Sequence, residues 1–308
     1  MNLFTRDDGR TLRVIDGFRK QALTQPRVSV QPKPEWSEHD YRAAAEKKVR
    51  NSERFVDELS SVGGTLEGAC VLEVGCGAGI DCLLLGMHPV RKVIGTDMEL
   101  ALFATGDKAE QARRLAREVF ATLGVPDDID AVLTRRPIRF VTMSATQMSL
   151  SNQSVDLLWS RAVMEEVFPL ERALAEMARV VRPGGILYHS IDPFYWLKGA
   201  YKSGIVDIPW AHARLTPAEY YRFVAGSEGE RQAAKRSRRL KTLNQFTPRQ
   251  WRTILEGAGF ETLRWNEETA PAAEALLDEH PDVLETLLNG IEAADLTCRR
   301  IKVWMRKT

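Results

Sequence analysis

Residues 71–79 read Val71-Leu72-Glu73-Val74-Gly75-Cys76-Gly77-Ala78-Gly79, an apolar run that ends in three alternating glycines. The apolar run predicts a buried strand, and the glycines let the backbone turn tightly and approach a ligand closely. The helical pattern GIDCLLLGM follows at once, so the loop joins a strand to a helix N-terminus, where free N–H groups favour polar or anionic ligand groups. In an open α/β sheet a ligand binds beyond the carboxyl ends of the strands. Together these properties suit a nucleoside cofactor.

Apolar runs alternate with helical patterns over residues 69–192. The further runs are KVIGTD at 92–97, IRFVTM at 138–143, SVDLLWS at 154–160 and GGILYHSI at 184–191. Strands that alternate with helices predict βαβ units and a parallel sheet. Their continuous apolar character indicates burial on both faces. The sequence therefore predicts a doubly wound α/β core.

Two segments outside this core, residues 1–68 and 193–246, lack the alternation of strands and helices. Residues 1–68 predict a helical N-terminal extension, and residues 193–246, rich in aromatics and carrying a basic run, predict a cap inserted after the fifth strand. Residues 247–308 resume the alternation and complete the core sheet. Their predicted elements are a helix with Thr247 as N-cap, a strand at 260–265, a helix over DVLETLLNGIEAADL at 282–296 and a last strand at 299–306.

Further landmarks follow the glycine loop in a fixed order. Asp97 closes the second strand, where a carboxylate can accept hydrogen bonds from ribose hydroxyls. Residues 155–160 form the fourth strand, and Arg182-Pro183-Gly184-Gly185 forms the turn before the fifth. With the E-x-G-x-G-x-G run, this ordered set resembles the class I S-adenosylmethionine (SAM)-dependent methyltransferases. The dinucleotide fingerprint G-x-G-x-x-G/A fits less well, because Ile80 stands at its last small position, and this disfavours a nicotinamide oxidoreductase.

The resemblance implies a fold and a cofactor. The expected fold is α/β: a Rossmann-like, seven-stranded, mostly parallel sheet with an antiparallel last strand, a helical N-terminal lid and an inserted cap. SAM is the expected cofactor and S-adenosylhomocysteine the product. Ser144 replaces the family's usual adenine-binding Asp, so the backbone of Ala145 is expected to serve instead. The expected cofactor-binding residues are Glu73, Gly75, Cys76, Gly77, Gly79, Asp97, Met98, Ser144, Ala145 and Ser160.

Candidate catalytic residues follow the fourth and fifth strands. Many small-molecule members of the family have a Glu-His pair after the fourth strand, where this chain has Glu165-Glu166. Adjacent residues point in different directions, so one of the two is expected to face the pocket. It would be a base with a raised pKa if buried, and the alternative is a solvated or helix-capping pair. His189 and Asp192, in an H-x-I-D stretch similar to some methyltransferases of sugar and natural-product pathways, are the other two candidates.

Candidate substrate-binding residues lie mainly in the cap. Aromatic side chains there would enclose an apolar or ring-bearing substrate, with Trp36 of the extension closing over the site. The basic run at 231–241 has three readings: a solvated helix, a site for an anionic group such as phosphate or diphosphate, or an RNA contact. The candidates are Trp36, Tyr195, Trp196, Trp210, Tyr220, Arg238 and Arg239.

Composition limits the partners. The 308 residues include 43 basic and 42 acidic side chains, so no bulk field draws the chain to nucleic acid or to a membrane. The four cysteines form no C-x-x-C pair and show no zinc spacing, which predicts no metal site. The N-terminus lacks the apolar core of a signal peptide and no run is long enough to span a membrane, so the expected location is cytoplasmic.

The predicted function is transfer of a methyl group from SAM to an oxygen or carbon of a small molecule, including one that bears an anionic group. Two alternatives stay open: a nucleic-acid methyltransferase, and a non-catalytic SAM-binding partner protein. The first would need more than one basic run, and no base-methylation motif is present. A homo-oligomer is left open.

Overall fold

The computed structural model describes residues 2–24, 36–126 and 128–308. The strands in this part of the chain are β1 (Leu3–Thr5), β2 (Thr11–Arg13), β3 (Cys70–Val74), β4 (Lys92–Asp97), β5 (Ile138–Thr142), β6 (Val155–Arg161), β7 (Val181–Ile191), β8 (Phe260–Thr269) and β9 (Cys298–Lys307).

The helices are α1 (Phe18–Thr24), α2 (Glu38–Ser61), α3 (Ile80–Leu85), α4 (Asp107–Thr122), α5 (Ile129–Arg135), α6 (Leu170–Val180), α7 (Tyr201–Gly204), α8 (Ala211–Arg214), α9 (Pro217–Glu228), α10 (Glu230–Leu240), α11 (Pro248–Gly257), α12 (Pro271–Glu279) and α13 (Ala293–Thr297). Short 3-10 helices span Ala101–Phe103, Met164–Glu166 and Pro281–Thr286.

Seven strands form one sheet in the spatial order β5-β4-β3-β6-β7-β9-β8. The first five are mutually parallel, and β9 runs antiparallel to both β7 and β8. This confirms the predicted sheet with its antiparallel last strand. The chain proceeds outward from β3 to β5 on one side and from β6 to β7 on the other. The strand order therefore reverses between β3 and β6, and such a switch point opens a crevice at the carboxyl ends of the strands.

Helices cover both faces of the sheet, as its buried strands require. All five residues of β3 are buried. On one face Phe55 of α2 packs its ring 4.8 Å from Trp159 and 5.3 Å from Trp304. On the other face Trp251 of α11 is fully buried. The predicted N-cap Thr247 accepts a hydrogen bond from Gln250 N–H and begins this helix.

The N-terminal segment differs from the sequence prediction. It contains α1 and α2, but a two-stranded hairpin, β1 and β2, precedes them where only helix was predicted. Leu12 of this hairpin is buried in a cluster with cap residues, and Glu219 of the cap accepts the Asp7 N–H at 2.8 Å. The hairpin therefore forms because its strands pack on the cap, a long-range contact that local pattern does not reveal.

The helix predicted over 282–296 is wrong. The chain there forms the 3-10 helix Pro281–Thr286 and the short α13, and an unpredicted helix, α12, precedes both. Gly290 adopts a left-handed conformation with φ of 84°, which interrupts the helical pattern.

Candidate active site

The glycine loop after β3 is shaped by close packing. A Cβ at Gly75 would lie 2.3 Å from a methyl carbon of Val163, and one at Gly79 would lie 2.6 Å from the Phe140 ring. Both residues also have positive φ, 73° and 68°. Gly77 has φ of 53° and faces open space. The first and third glycines thus let the loop pack closely, while the second leaves its backbone accessible to a ligand.

Asp97 ends β4 beside this loop. One carboxylate oxygen accepts the Gly77 N–H at 2.8 Å, and the other accepts the Glu99 N–H at 3.2 Å. An ionised carboxylate offers about four acceptor positions, so each oxygen can accept a further hydrogen bond. Asp97 is half-buried and borders an open cavity, which is where a ribose diol would meet it.

This cavity, here called the cofactor cleft, has a volume of about 500 Å³. Small-molecule sites fall in the range of about 300–1,000 Å³. The cleft opens at the switch point between β3 and β6. It is lined by Val74, Gly75, Asp97, Met98, Met143, Ser144, Ala145, Thr146, Ala162, Val163, Glu166, Val167 and Phe168.

The lining of the cofactor cleft fits SAM. Asp97 can hold the ribose hydroxyls, and the loop backbone at Gly75 can hold the methionine part. Met98 is 71% exposed, so its thioether is free to pack on a purine. The Ser144 hydroxyl lies 2.8 Å from the Thr146 hydroxyl and accepts the Thr146 N–H, which leaves the Ala145 backbone at the cleft surface.

Five of the predicted cofactor residues lie outside the cleft lining, namely Glu73, Cys76, Gly77, Gly79 and Ser160. Cys76 is buried, and Ser160 is fully buried. Glu73 is 4% exposed, and its carboxyl accepts the Cys82 thiol at 2.7 Å. Burial, and next the charge of Asp81, raise the pKa of Glu73 to about 8. Glu73 thus connects β3 to α3 through its hydrogen bond with Cys82.

Trp36 lies on the other side of Asp97. It lines a second cavity of about 390 Å³ that also touches Gly77 and Asp97. Its ring lies 5.1 Å from the ring of Tyr41 in α2. Trp36 of the N-terminal segment therefore shares a cavity with the cofactor loop, and its role as a lid stays a prediction.

The two glutamates after β6 face different surroundings. Glu166 lines the cofactor cleft, and its carboxylate accepts Arg239 Nη2 at 2.5 Å. Glu165 is 2% exposed, and among the described residues neither of its carboxyl oxygens has a hydrogen-bond partner. Burial, and next the charge of Asp192, raise the pKa of Glu165 to about 8. One glutamate is thus exposed to the cleft and the other is sealed behind it.

Asn244, at the end of the cap, fixes the loop that carries both glutamates. Its N–H donates to the Glu165 carbonyl at 2.7 Å. Its side-chain amide donates to the carbonyls of Met164 at 2.8 Å and Val167 at 3.0 Å. The sequence does not indicate this role of Asn244, because its partners lie 80 and 77 residues earlier in the chain.

The other two candidate catalytic residues, Asp192 and His189, lie in different surroundings. Asp192 accepts Arg300 Nε at 3.0 Å and lies close enough to Glu165 to raise its pKa. His189 is fully buried, with Nδ1 2.8 Å from the Ser160 hydroxyl. Burial lowers the pKa of His189 to about 4, so the ring is neutral at pH 7. His189 lies within the sheet and outside the cofactor cleft.

The cap holds an apolar cavity of about 290 Å³ to which two predicted substrate residues contribute, Tyr195 and Tyr220. Trp210 is instead a buried anchor whose indole N–H donates to the Leu296 carbonyl at 3.2 Å. Trp196 is half-buried and lines none of the cavities described here. Arg238 is exposed on α10.

Glu165→Gln should change how stability depends on pH. A folded-state pKa near 8, above the ordinary 4.5, means that the wild type loses stability as pH rises between these values. The variant lacks this loss. We therefore expect its free energy of unfolding, relative to that of the wild type, to rise by at least about 1 kcal/mol between pH 5 and pH 9. Urea unfolding at pH 5, 7 and 9 measures the effect. Glu171→Gln, on the exposed start of α6, is the control. Parallel curves for wild type and Glu165→Gln would contradict the burial argument.

Within the described residues no group of histidine, cysteine and acidic side chains is arranged to hold a metal ion. None of the helices in that part of the chain combines the length and apolar character that crossing a membrane requires.

Residues 72–189 match the family model of a methyltransferase domain. Malonyl-[acyl-carrier protein] O-methyltransferase of Methylovorus sp. strain MP688 is 28% identical over 153 residues, 49% of this chain and 45% of that protein. Ubiquinone biosynthesis O-methyltransferase of Rhizobium rhizogenes strain K84 is 29% identical over 123 residues, 40% of this chain and 41% of that protein. The chain thus aligns with less than half the length of either relative.

Among solved structures, geranyl diphosphate methyltransferase in complex with SAM is similar to 96% of this chain and 97% of its own, with a TM-score of 0.48 and 17% identity.

Proposed function

We propose that this chain, whose residues 72–189 match the family model of a methyltransferase domain, is a class I SAM-dependent methyltransferase that transfers the methyl group of SAM to a small molecule. The observation that carries the proposal is the position of Asp97. Its carboxylate borders the cofactor cleft next to the accessible backbone of Gly77, at the switch point of the sheet. That arrangement suits a nucleoside whose ribose binds the acid and whose other end lies along the glycine loop.

Oxygen is the acceptor atom that we favour over carbon. Both curated relatives are named O-methyltransferases, one for malonyl-acyl carrier protein and one for ubiquinone biosynthesis. The apolar cavity lined by Tyr195 and Tyr220 would enclose the hydrocarbon or ring part of the acceptor. Its first lining residue, Phe194, comes two positions after Asp192, so the cap cavity begins close to the end of β7.

A hydroxyl acceptor needs a group to take its proton. SAM, held by the Asp97 carboxylate and the loop backbone at Gly75, would supply an electrophilic methyl group for the acceptor oxygen. Asp97 and Glu166 are the two carboxylates in the lining of the cofactor cleft. Because Asp97 is assigned to the ribose, Glu166 is the one that can take the proton. Arg239 holds this carboxylate by two hydrogen bonds, at 2.5 and 3.2 Å, and thereby fixes its orientation. Glu165 lies behind it, where its raised pKa suits holding a proton near pH 7.

Glu166→Gln should therefore lower kcat by about a hundredfold or more, the usual effect of removing a general base. Its amide keeps a similar size, so SAM affinity should change less than threefold. The measurement is release of S-adenosylhomocysteine with an active acceptor, at several pH values. Glu171→Gln is the matched control on the neighbouring exposed helix. Full activity in Glu166→Gln would remove Glu166 from the reaction.

Titration of the purified protein with SAM and with NAD by calorimetry tests the function itself. We expect one SAM per chain and no binding of NAD. Acceptors would then be screened by S-adenosylhomocysteine release, beginning with hydroxylated ring compounds and carboxylic acids. Absence of SAM binding would refute the proposal. SAM binding without turnover on any acceptor would favour the non-catalytic alternative.

A further inference from the structure

A second polar cavity lies between α2 and the carboxyl-end edge of β6 and β7. It has a volume of about 340 Å³ and is here called the α2 cleft. Arg161, the last residue of β6, lines it, and the next residue, Ala162, lines the cofactor cleft. The full lining is Lys47, Asn51, Arg54, Phe55, Glu58, Trp159, Arg161, Tyr188, Ser190, Glu268, Arg299, Arg300 and Lys302.

Positive charge dominates this lining, with six basic and two acidic residues. Four of the basic residues have acidic partners within 4 Å. Arg299 and Lys302 share Glu268, at 3.2 and 2.7 Å. The other two pair outside the lining, Arg300 with Asp192 at 3.0 Å and Arg161 with Asp81 at 3.5 Å.

Lys47 and Arg54 are the two basic residues that remain. Neither forms an ion pair with any described residue of the chain. They lie seven positions apart on α2, two turns of the helix, so both project toward the same cleft. Glu58, one turn further along α2, is the one acidic group of the lining without an ion pair among the described residues.

Two aromatic side chains in the lining of the α2 cleft, Trp159 and Tyr188, carry hydrogen-bond donors. Trp159 is 2% exposed, and among the described residues its indole N–H has no acceptor. Tyr188 carries a hydroxyl, and burial raises its pKa to about 12. A buried donor without a partner costs free energy comparable to a lost hydrogen bond. A ligand that carries negative charge would pair with the two free cations, whereas the Trp159 indole N–H is buried out of its direct reach.

We propose that the α2 cleft binds an anionic group, a carboxylate or a phosphate, of the methyl acceptor. This inference rests on the proposed function and assigns the acceptor's anchoring group. Arg300 lines the α2 cleft and holds Asp192, which lies directly before the cap cavity in the chain. An acceptor anchored here would extend past Asp192 toward the cap, with the end of β6 and the cofactor cleft beside it.

This location replaces the basic helix α10 as the anion site. Arg239 of α10 is already paired with Glu166, and its guanidinium lies 5.1 Å from the centre of the Tyr201 ring. Arg238 is exposed and lines none of the cavities described here. The α2 cleft, in contrast, has two free cations, Lys47 and Arg54, in its lining.

Calorimetry at constant ionic strength tests the inference with inorganic phosphate, pyrophosphate and malonate as probes. We expect saturable binding of at least one probe to the wild type, and the one that binds tightest distinguishes phosphate from carboxylate as the source. Lys47→Gln/Arg54→Gln should weaken that binding at least tenfold and leave SAM affinity within threefold of the wild type. Arg50→Gln, which alters an exposed residue of α2 paired with Glu46, should bind the probe like the wild type.

The outcomes separate this inference from the proposed function. SAM binding without saturable binding of any probe, or equal probe binding by the double variant, would overturn the anion site and leave the methyltransferase proposal standing. Probe binding without SAM binding would refute the assignment to a methyl acceptor. Unchanged circular dichroism of the variants verifies that the substitutions on exposed positions of α2 leave the fold intact.

Discussion

Asp97→Ala should reduce the affinity for SAM by about a hundredfold or more. The two carboxylate oxygens would each lose one hydrogen bond to a ribose hydroxyl, and hydrogen bonds to charged groups contribute about 1.5–3 kcal/mol apiece. A loss of 1.4 kcal/mol corresponds to a tenfold change in the dissociation constant. The variant also frees the Gly77 N–H, which Asp97 holds at 2.8 Å, so the loop loses part of its orientation. Calorimetric titration with SAM measures the change.

Two further variants make this result specific. Asp97→Asn keeps one acceptor oxygen, so its affinity should fall between those of wild type and Asp97→Ala. Asp130→Ala, on the exposed first turn of α5, should bind SAM normally. Equal affinity of wild type and Asp97→Ala would reject the ribose-binding role and with it the observation that carries the proposed function.

Arg214→Ala should lower the free energy of unfolding by about 3 kcal/mol. Arg214 is fully buried at the end of α8, and it donates to the Thr286 hydroxyl at 2.7 Å and to the Pro209 carbonyl at 3.1 Å. It also forms an ion pair with Asp282 at 3.2 Å. Loss of one partner of a buried pair costs about 3–5 kcal/mol. We expect the low end because a third of the Asp282 side chain is exposed and stays hydrated.

Arg249→Ala is the matched control for this measurement. Arg249 pairs with Glu292 at 2.7 Å, but both side chains are at least 60% exposed. Exposed pairs contribute about 0–1 kcal/mol, so the control should unfold in urea at nearly the wild-type midpoint. Similar losses in the two variants would contradict the view that Arg214 joins the cap to the segment after α12.

The core of the fold was predictable because its determinants are local. The strand–loop–helix around Gly75 and the acid at Asp97 show their roles within a few residues, and buried parallel strands appear as continuous apolar runs. The hairpin containing Leu12 was not predictable, because it is stabilised by cap residues almost 200 positions away. The prediction of a helix over 282–296 was wrong because it relied on the regular spacing of apolar residues and gave too little weight to Gly290, which interrupts the helix.

The candidate site was predictable in its residue types and only partly in its geometry. The sequence brings Glu165 and Glu166 to the end of β6, but only the structure reveals which of them faces the cleft. Burial of His189 and Ser160 depends on neighbouring strands. The α2 cleft gathers residues from five separate segments, and no linear motif connects Lys47 with Arg300.

The contact between Arg239 and Glu166 has a consequence for the energetics of the cap. The arginine belongs to the cap and the glutamate to the core, so the pair contributes only while the two are docked. An acceptor that takes over the hydrogen-bonding positions of Glu166 competes with Arg239 for them. Thermodynamic linkage is reciprocal. The binding free energy that the acceptor loses to this competition therefore equals the free energy by which its binding weakens the docking of the cap on the core. Catalysis and cap opening would then share one equilibrium, and a substitution at Arg239 would shift both.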